Sequence, residues 1–381
     1  MGHIEDRRDQ GRGWRARYRG PDHRERSKSF KRRIDAEKFL VSVESAKLRG
    51  EWVDPDQANT RFEVWAAECR RSWHGLSEST SAQRDSLMRT HVIPAWRGER
   101  LGRISQLQVQ TWVNDLVGEG LSASTVRQIY ACFERVMRAA VIGRMIPASP
   151  CQSIQLPRDE RPEMHYLSPD QVSSLATAIG PESQTMIYFA AYTGLRWGEV
   201  VGLKVGRVHL LRGEVEVAEQ LAEVAGRVYF KPPKTRQSRR TVGLPDFLVD
   251  RLGRHLDTRP DDNDALVFVG GDGAPLRRSN FSRRYWKPAV SLAGLPENLR
   301  FHDLRHTCVA FLISLGMQQY DVMRHLGHAS IKTTLDRYGH WFPNSDGALR
   351  KGLDSLYRDS AAAPLRPEAK AELTSQRRKA P

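Results

Sequence analysis

The residues of this chain that could do chemistry are concentrated near its C-terminal end, between His302 and Tyr338. His302 and Arg305 are three residues apart, so they would share one face of a helix. Glycines typical of helix C-termini divide the stretch into three short helices. The ends of these helices could bring together His302, Arg305, His328 and Tyr338. Such a set would hold a phosphate and present a phenol oxygen to it.

Two cationic motifs precede this cluster. Arg196 lies between two glycines in TGLRWGE, at the start of a predicted helix that Glu199 helps to cap. Lys234 lies in KPPKTRQSRR, a predicted basic hairpin in which two prolines stiffen the approach to the lysine. Taken singly, such motifs are more often surface ion pairs or solvated loops than functional sites. A lone histidine or tyrosine is more often a packing residue, and His306 is interpreted as structural.

The composition favours a polyanionic partner. The chain has 60 Lys and Arg against 45 Asp and Glu, a net charge of +15, which points to nucleic acid first. A membrane surface is the weaker option, because the sequence has neither a membrane-spanning apolar run nor a signal-peptide core. The four cysteines are scattered without a CxxC pair, which predicts reduced thiols of a cytoplasmic protein and no metal site.

The N-terminal 50 residues hold nearly half of the excess charge, with 15 Lys and Arg against 8 Asp and Glu. Strict alternation in WRARYR sends the apolar residues to one strand face and Arg15, Arg17 and Arg19 to the other. The alternative interpretation is a solvated basic face. DNA binding by these arginines and Lys28 is favoured, because three arginines on one strand face repel each other unless an anion is near.

The predicted fold is multidomain and mainly α, with small β-sheets. Its parts are an N-terminal sheet with one helix (1–55), a helical bundle (56–155), an α+β domain (163–358) and a disordered tail (359–381). Residues 50–60 are predicted to be a linker, and capping-box patterns at Ser105 and Ser168 to begin helices. Strands are predicted at 2–8, 14–19, 26–30, 214–217, 227–230, 240–242 and 266–269, and helices at 34–48, 62–73 and 80–91, the last stopped before Pro94.

The order and spacing of six residues give the separate motifs a common meaning. TGLRWGE, PKT followed by SRRTV, HDLRHT, and LGH followed by TTLDRYGH resemble the catalytic boxes of the tyrosine recombinases, specifically the phage integrase family, and stand in that family's order. The resemblance covers about residues 165–355. The preceding helical part is similar to the family's core-site DNA-binding domain, and the N-terminal part resembles the arm-site domain of heterobivalent phage integrases. The six residues are Arg196, Lys234, His302, Arg305, His328 and Tyr338.

The resemblance implies a site-specific recombinase that cuts DNA through a 3′-phosphotyrosyl link to Tyr338 and rejoins it without a cofactor. Arg196 and Arg305 would clamp the phosphate oxygens, because a guanidinium fork matches them in bidentate fashion. Lys234 would protonate the leaving 5′-oxygen. His302 would act as general base or phosphate donor, and His328 as a further donor.

The resemblance also implies a homo-tetramer on double-stranded DNA, bound at core and arm attachment sites. A host DNA-bending protein and an excision factor would be its partners, in the cytoplasm of a bacterial host and at its nucleoid. The C-terminal leucines Leu349, Leu353 and Leu356 would pack on a neighbouring subunit or on their own domain. Two rival functions stay open: a type IB topoisomerase with similar chemistry, and a DNA-binding regulator whose catalytic site is unused.

Overall fold

The computed structural model describes residues 2–8, 13–21, 23–49, 52–73, 75, 77–158, 164–232 and 238–342. The chain forms two compact units, residues 1–163 with 224–227, and residues 164–223 with 228–381. Within the described part, no helix is both long and apolar enough to cross a membrane. The predicted tail and the three C-terminal leucines lie outside the described residues.

An antiparallel three-stranded sheet opens the first unit, in the order β1 (His3–Asp6), β2 (Trp14–Arg19) and β3 (Glu25–Phe30). Helix α1 (Arg33–Leu48) packs on it. The predicted alternation is confirmed, because Ala16 and Tyr18 are buried on the helix side of β2. A small sheet and one helix thus form a core around aromatic side chains.

The segment after α1 is held against this sheet. The Arg26 side chain on β3 makes a close ion pair with Asp54 and lies over the Trp52 ring, 5.0 Å from its centroid. The predicted linker is therefore packed at Trp52 and Asp54, and the short helix α2 (Pro55–Ala58) follows. Both predicted DNA-binding domains lie in one compact unit, so a division near residue 55 stays a prediction.

The rest of the first unit is helical, as predicted. A cluster of four aromatic rings forms its core, in which Trp96 and Phe133 stack with centroids 4.8 Å apart. The capping box predicted at Ser105 is confirmed. The helices are α3 (Phe62–Arg71), α4 (Glu78–Leu87), α5 (Ile93–Trp96), α6 (Gln106–Gly118) and α7 (Ala123–Ile142).

The prediction that a helix stops before Pro94 is wrong. Helix α4 continues through a π-helical turn, Met88–Val92, directly into α5. Pro94 therefore lies within a continuous helical path, at a place where the wider π-helical turn before it changes the usual backbone hydrogen-bond pattern.

The second unit combines helices with two small sheets. The strands are β4 (Val208–His209), β5 (Glu214–Val217), β6 (Gln220–Val224), β7 (Arg227–Lys231) and β8 (Arg240–Gly243). One sheet has the strand order β4–β5–β8 and the other pairs β6 with β7. The capping box predicted at Ser168 is confirmed at the start of α8 (Pro169–Ala178). The helices are α8 (Pro169–Ala178), α9 (Pro181–Thr193), α10 (Trp197–Val201), α11 (Asp246–Leu256), α12 (Arg278–Phe281), α13 (Lys287–Leu292), α14 (Asp303–Ser314), α15 (Gln319–Leu326) and α16 (Ile331–Tyr338).

Two predictions for this unit are wrong. Residues 266–269 form only single bridges, from Leu266 to Lys204 and from Val269 to Pro275. The basic segment after β7 is not the turn of a hairpin, because β7 pairs with β6 and β8 pairs with β5. That segment connects two different sheets. Packing of α14 against α9 and α15 then sets the positions of the candidate site residues.

Candidate active site

Arg196 is positioned by the turn between α9 and α10. Gly194 ends α9 in the left-handed conformation (φ 65°), and Arg196 is the extended N-cap residue of α10. Glu199 accepts a hydrogen bond from the Arg196 backbone N–H at 3.0 Å and one from the Arg196 Nη1 at 2.9 Å. The predicted capping role of Glu199 is confirmed, and it also orients the arginine side chain, which stays partly exposed.

Glu199 is a buried carboxylate between two arginines. Only 3% of its surface is exposed, and Arg240 on β8 donates to it from Nη2 at 3.0 Å. Burial alone would raise the Glu199 pKa, but Arg240 and then Arg196 lower it to about 2. The Arg240 Nε also donates to the His325 carbonyl at 2.7 Å, so Arg240 ties β8 to α15 as well as to Glu199.

Arg305 is fixed by the ends of two helices. Its side chain is buried on α14, and its two terminal nitrogens donate to the carbonyl oxygens of Gly194 at 2.5 Å and Leu326 at 2.6 Å. Burial, then the charges of Arg196 and Arg240, lower the Arg305 pKa to about 9. The carbonyls therefore hold a guanidinium at a place where an arriving anion would relieve the repulsion between cations.

His302 and His328 lie beside these arginines. His302 is the N-cap residue of α14, and its pKa is lowered to about 3 by burial, then by His306 and Arg305. His328 follows the left-handed Gly327 that ends α15, and its Nδ1 lies 2.8 Å from the Thr334 hydroxyl. Burial, then Arg305 and Arg196, lower its pKa to about 3. Both imidazoles are therefore neutral at pH 7.

Tyr338 ends α16 with its side chain buried. It packs in a small apolar cluster with residues of α14 and α15, and 1% of its surface is exposed. Its hydroxyl lies 2.7 Å from the Nδ1 of His306. Burial raises the Tyr338 pKa, although Arg305 and then Arg337 act in the opposite direction. The phenol is therefore protonated at neutral pH and is held by a histidine.

The structure brings five of the six predicted catalytic residues into one neighbourhood of the second unit. Arg305 is electrostatically coupled to both Arg196 and Tyr338, and His328 to both arginines. Lys234 lies outside the described residues. Where the structure describes the chain, it contains no group of three or more potential metal ligands.

The predicted DNA-binding residues of the first unit lie on two faces of its sheet. Arg15, Arg17 and Arg19 share the face away from α1, as the alternation of β2 predicts. Lys28 pairs with Ala16 in register and its ammonium lies 5.0 Å from the Phe39 ring centroid, so it belongs to the helix side. Arg17 forms an ion pair with Glu5 at 2.9 Å, which offsets part of the repulsion between the arginines.

Sequence reasoning missed two residues of the site. His306, which was interpreted as structural, contacts the Tyr338 hydroxyl, and Arg240 forms the buried pair with Glu199. Spacing could have found His306, because it lies four residues after His302 and shares its helix face. The buried carboxylate of Asp303 accepts hydrogen bonds from Arg300.

The Arg240–Glu199 pair yields a stability prediction. Arg240→Ala should lower the free energy of unfolding by about 3–5 kcal/mol, because it leaves a buried carboxylate short of its main partner. Denaturant unfolding of the full chain measures the loss. Arg207→Ala, which removes an exposed ion pair with Glu216, is the matched control and should cost at most about 1 kcal/mol. Equal losses for the two variants would contradict the buried pair's importance.

Four buried or partly buried histidines yield a prediction for the pH dependence of stability. The pKa values of His302, His306, His325 and His328 are all lowered to about 3 or 4, chiefly by burial. Unfolded histidines take up protons near pH 6.5 whereas the folded ones do not, so the stability they contribute is complete above about pH 6.5 and is lost as the pH falls towards 4. The thermal unfolding midpoint at pH 5 should therefore be lower than the midpoint at pH 7.5. Unchanged midpoints would contradict the burial of neutral imidazoles.

Comparison with known proteins supports the resemblance seen in the motifs. Residues 165–344 match the phage integrase family. The chain is 26% identical over 285 residues to the ICEBs1 integrase of Bacillus subtilis, covering 71% of this chain and 76% of that protein. It is also 26% identical over 356 residues to a putative prophage phiRv2 integrase of Mycobacterium tuberculosis, covering 90% of this chain and 92% of the relative.

Solved structures show that the fold is shared. The Tn1549 transposon integrase in complex with a circular intermediate DNA gives a TM-score of 0.66 at 20% identity, over 78% of this chain and 99% of that one. A lambda integrase tetramer bound to a Holliday junction gives a TM-score of 0.57 at 16% identity, over 86% and 95%. The predicted multidomain, mainly α fold is confirmed. Residues 165–344 therefore form a phage integrase family domain, and the chain is a tyrosine-type site-specific DNA recombinase.

Proposed function

We propose that this chain cleaves and rejoins DNA through a 3′-phosphotyrosyl link to Tyr338, and so integrates or excises phage DNA at host attachment sites. The observation that carries the proposal is the buried Tyr338 hydroxyl, which is hydrogen-bonded to His306 and lies near enough to Arg305 for that charge to favour the phenolate. A phosphotyrosyl ester conserves the energy of the broken bond, so rejoining needs no ATP.

The two arginines act on the phosphate. A scissile phosphodiester carries one negative charge, and more charge develops on its non-bridging oxygens in the transition state. Arg305 is held by two backbone carbonyls and Arg196 by Glu199, so neither guanidinium has to be reorganised when the charge appears. Electrostatic stabilisation by fixed donors is worth several kcal/mol in a site that excludes water.

The remaining three residues handle protons and hydrogen bonds. Lys234 protonates the departing 5′-oxygen. Its position in the motif PKT, shortly before SRRTV, supports this role. His302 and His328 stay neutral at pH 7, and a neutral imidazole can still donate one N–H to a phosphate oxygen.

The assembly that we propose is a homo-tetramer on DNA that holds core and arm attachment sites together. The lambda integrase neighbour, a tetramer bound to a Holliday junction, supports it. Arg15, Arg17 and Arg19 would contact the arm site. A host DNA-bending protein and an excision factor would assist, and the enzyme would act at the bacterial nucleoid in the cytoplasm.

The test of this function is a covalent trap. Duplexes tiled across the DNA that flanks the gene, each nicked beside the probed phosphate, are incubated with wild-type protein. The expected result is a denaturant-resistant protein–DNA adduct at one core sequence. Complete absence of adducts would favour the DNA-binding regulator. Relaxation of plasmids that lack attachment sites, without recombinant products, would favour the topoisomerase.

Removal of the N-terminal part tests binding to two kinds of site. Deleting residues 1–55 should leave core-site cleavage intact and abolish integration that depends on arm sites, because the arginine face of β2 is lost. Integration of long and short substrates measures both effects. Replacing Arg15, Arg17 and Arg19 together by serine should reproduce the loss, whereas Lys28→Ser, on the helix side, should have a smaller effect. Unchanged integration by the truncated protein would contradict two-site binding.

A further inference from the structure

We propose that His306 is the catalytic base that accepts the phenol proton of Tyr338, and that Asp303 positions it. The inference rests on the proposed function and assigns a residue outside the six that the family motifs supplied. Its basis is a line of three buried side chains. The His306 Nδ1 lies 2.7 Å from the Tyr338 hydroxyl, and the His306 Nε2 lies 3.8 Å from Asp303 Oδ1.

The phenol needs a proton acceptor at this place. Burial raises the Tyr338 pKa above its ordinary value near 10, so the phenolate is scarce at neutral pH. An acceptor must lie within hydrogen-bond reach of the proton, and among the described residues the Tyr338 hydroxyl has the His306 ring nitrogen at that distance. For His302 the sequence left two roles open, general base and phosphate donor. Its ring packs edge-on against His306, with centroids 5.1 Å apart.

The surroundings of His306 suit this role. The ring is 2% exposed, and burial lowers its pKa to about 4, so it is neutral and able to accept a proton at pH 7. The charged groups that act on it are Asp303, Arg337, Arg300 and Arg305. Of these, only the Asp303 carboxylate favours the imidazolium form.

The Asp303 side chain is held in place by burial and by hydrogen bonds from Arg300. Its side chain is fully buried, and the Arg300 backbone N–H and Nη2 donate to it at 2.7 and 2.8 Å. At 3.8 Å the His306 Nε2 is too far for a strong hydrogen bond, but near enough for the carboxylate to stabilise a positive charge that appears on the ring. A carboxylate that orients and stabilises a histidine base is an arrangement known from nucleophilic hydrolases.

The proposed step balances as follows. The Tyr338 O–H proton moves to His306 Nδ1 while the phenol oxygen forms its bond to phosphorus. The bond from phosphorus to the 5′-oxygen breaks, its electron pair leaves on that oxygen, and Lys234 supplies a proton to it. Rejoining reverses each transfer, with the His306 imidazolium returning its proton to the departing phenolate.

The test is the rate of adduct formation as a function of pH. His306→Gln should slow single-turnover cleavage by about 10²- to 10⁴-fold at pH 7, the usual worth of a general base. The deficit should shrink as the pH rises towards the tyrosine pKa, because the phenolate then forms without help. His255→Gln is the matched control, since His255 is a partly buried histidine of the same unit that bonds the Val267 carbonyl. The His255→Gln variant should cleave like wild type.

A leaving-group experiment separates base from acid. In a substrate with a 5′-bridging phosphorothiolate, the leaving group is a thiolate, which departs without a proton. This substrate should therefore rescue cleavage by Lys234→Ala and fail to rescue cleavage by His306→Gln. Rescue of His306→Gln, a wild-type rate for it, or a deficit that is constant with pH would overturn the proposal. If wild-type protein forms no adduct at all, the failure belongs to the proposed function instead.

A second measurement needs no variant that could misfold. Nitrogen NMR of histidine-labelled wild-type protein should show the His306 ring neutral at pH 7, with its proton on Nε2 and none on Nδ1. A proton resident on Nδ1 would overturn the proposal, because that nitrogen could not then accept one from Tyr338.

Discussion

Tyr338→Phe is expected to bind core-site DNA normally and to form no covalent adduct. The substitution removes one oxygen from a side chain that packs among Val309, Ile313 and Leu326, so the apolar cluster stays filled. The cost is an unpartnered His306 Nδ1, worth about 1–3 kcal/mol of unfolding free energy. Denaturing gels of trapped complexes measure the adduct, and mobility shifts measure binding.

Tyr320→Phe is the control for that result. Tyr320 lies on α15, is 60% exposed, and is the other tyrosine of the stretch from His302 to Tyr338. Its variant should form the adduct at the wild-type rate. A residual adduct in Tyr338→Phe would identify another nucleophile, with Tyr320 examined first by peptide mapping.

Arg305→Lys is expected to reduce adduct formation by at least about 10²- to 10³-fold, the usual loss when one fixed donor to a developing oxyanion is removed. A lysine keeps the charge, but a single ammonium cannot bond both the Gly194 and Leu326 carbonyls and also present a planar fork to the phosphate. Single-turnover cleavage of the trapped core site measures the loss.

Arg324→Lys provides the comparison for Arg305→Lys. Arg324 is exposed near the end of α15 and contributes to none of the contacts described for the site. The Arg324→Lys variant should cleave the core site at the wild-type rate. Wild-type cleavage by Arg305→Lys would show that position 305 needs only a charge, which would contradict the argument for a fixed guanidinium.

Local patterns predicted the parts of the fold that local physics determines. The alternation of WRARYR, the capping boxes at Ser105 and Ser168 and the left-handed Gly327 each depend on residues a few positions apart, and each is found in the structure. Pro94 was mispredicted because a π-helical turn before it changes where the helix can admit a proline.

Contacts between distant residues were out of reach of such patterns. His306 and Tyr338 are 32 positions apart, and they meet only because α14 and α16 pack around one apolar cluster. The sheet face on which Lys28 lies and the pairing of Arg17 with Glu5 depend on strand register. A shift of one residue would move each side chain to the opposite face. The family motifs identified the catalytic residues, whereas the residues that contact them could be identified only from the tertiary structure.

Gly194 has a consequence for genetics. Its left-handed backbone ends α9, its carbonyl holds Arg305, and an added Cβ would meet Cys308 Sγ at 3.0 Å and Leu326 at 3.1 Å. A screen that scores only recombinant colonies would therefore rank position 194 beside the nucleophile, although glycine brings no reactive group. Loss-of-function maps of this enzyme will therefore include residues that position the site as well as residues that take part in the reaction. Assays that measure DNA binding and strand cleavage separately will distinguish the two groups.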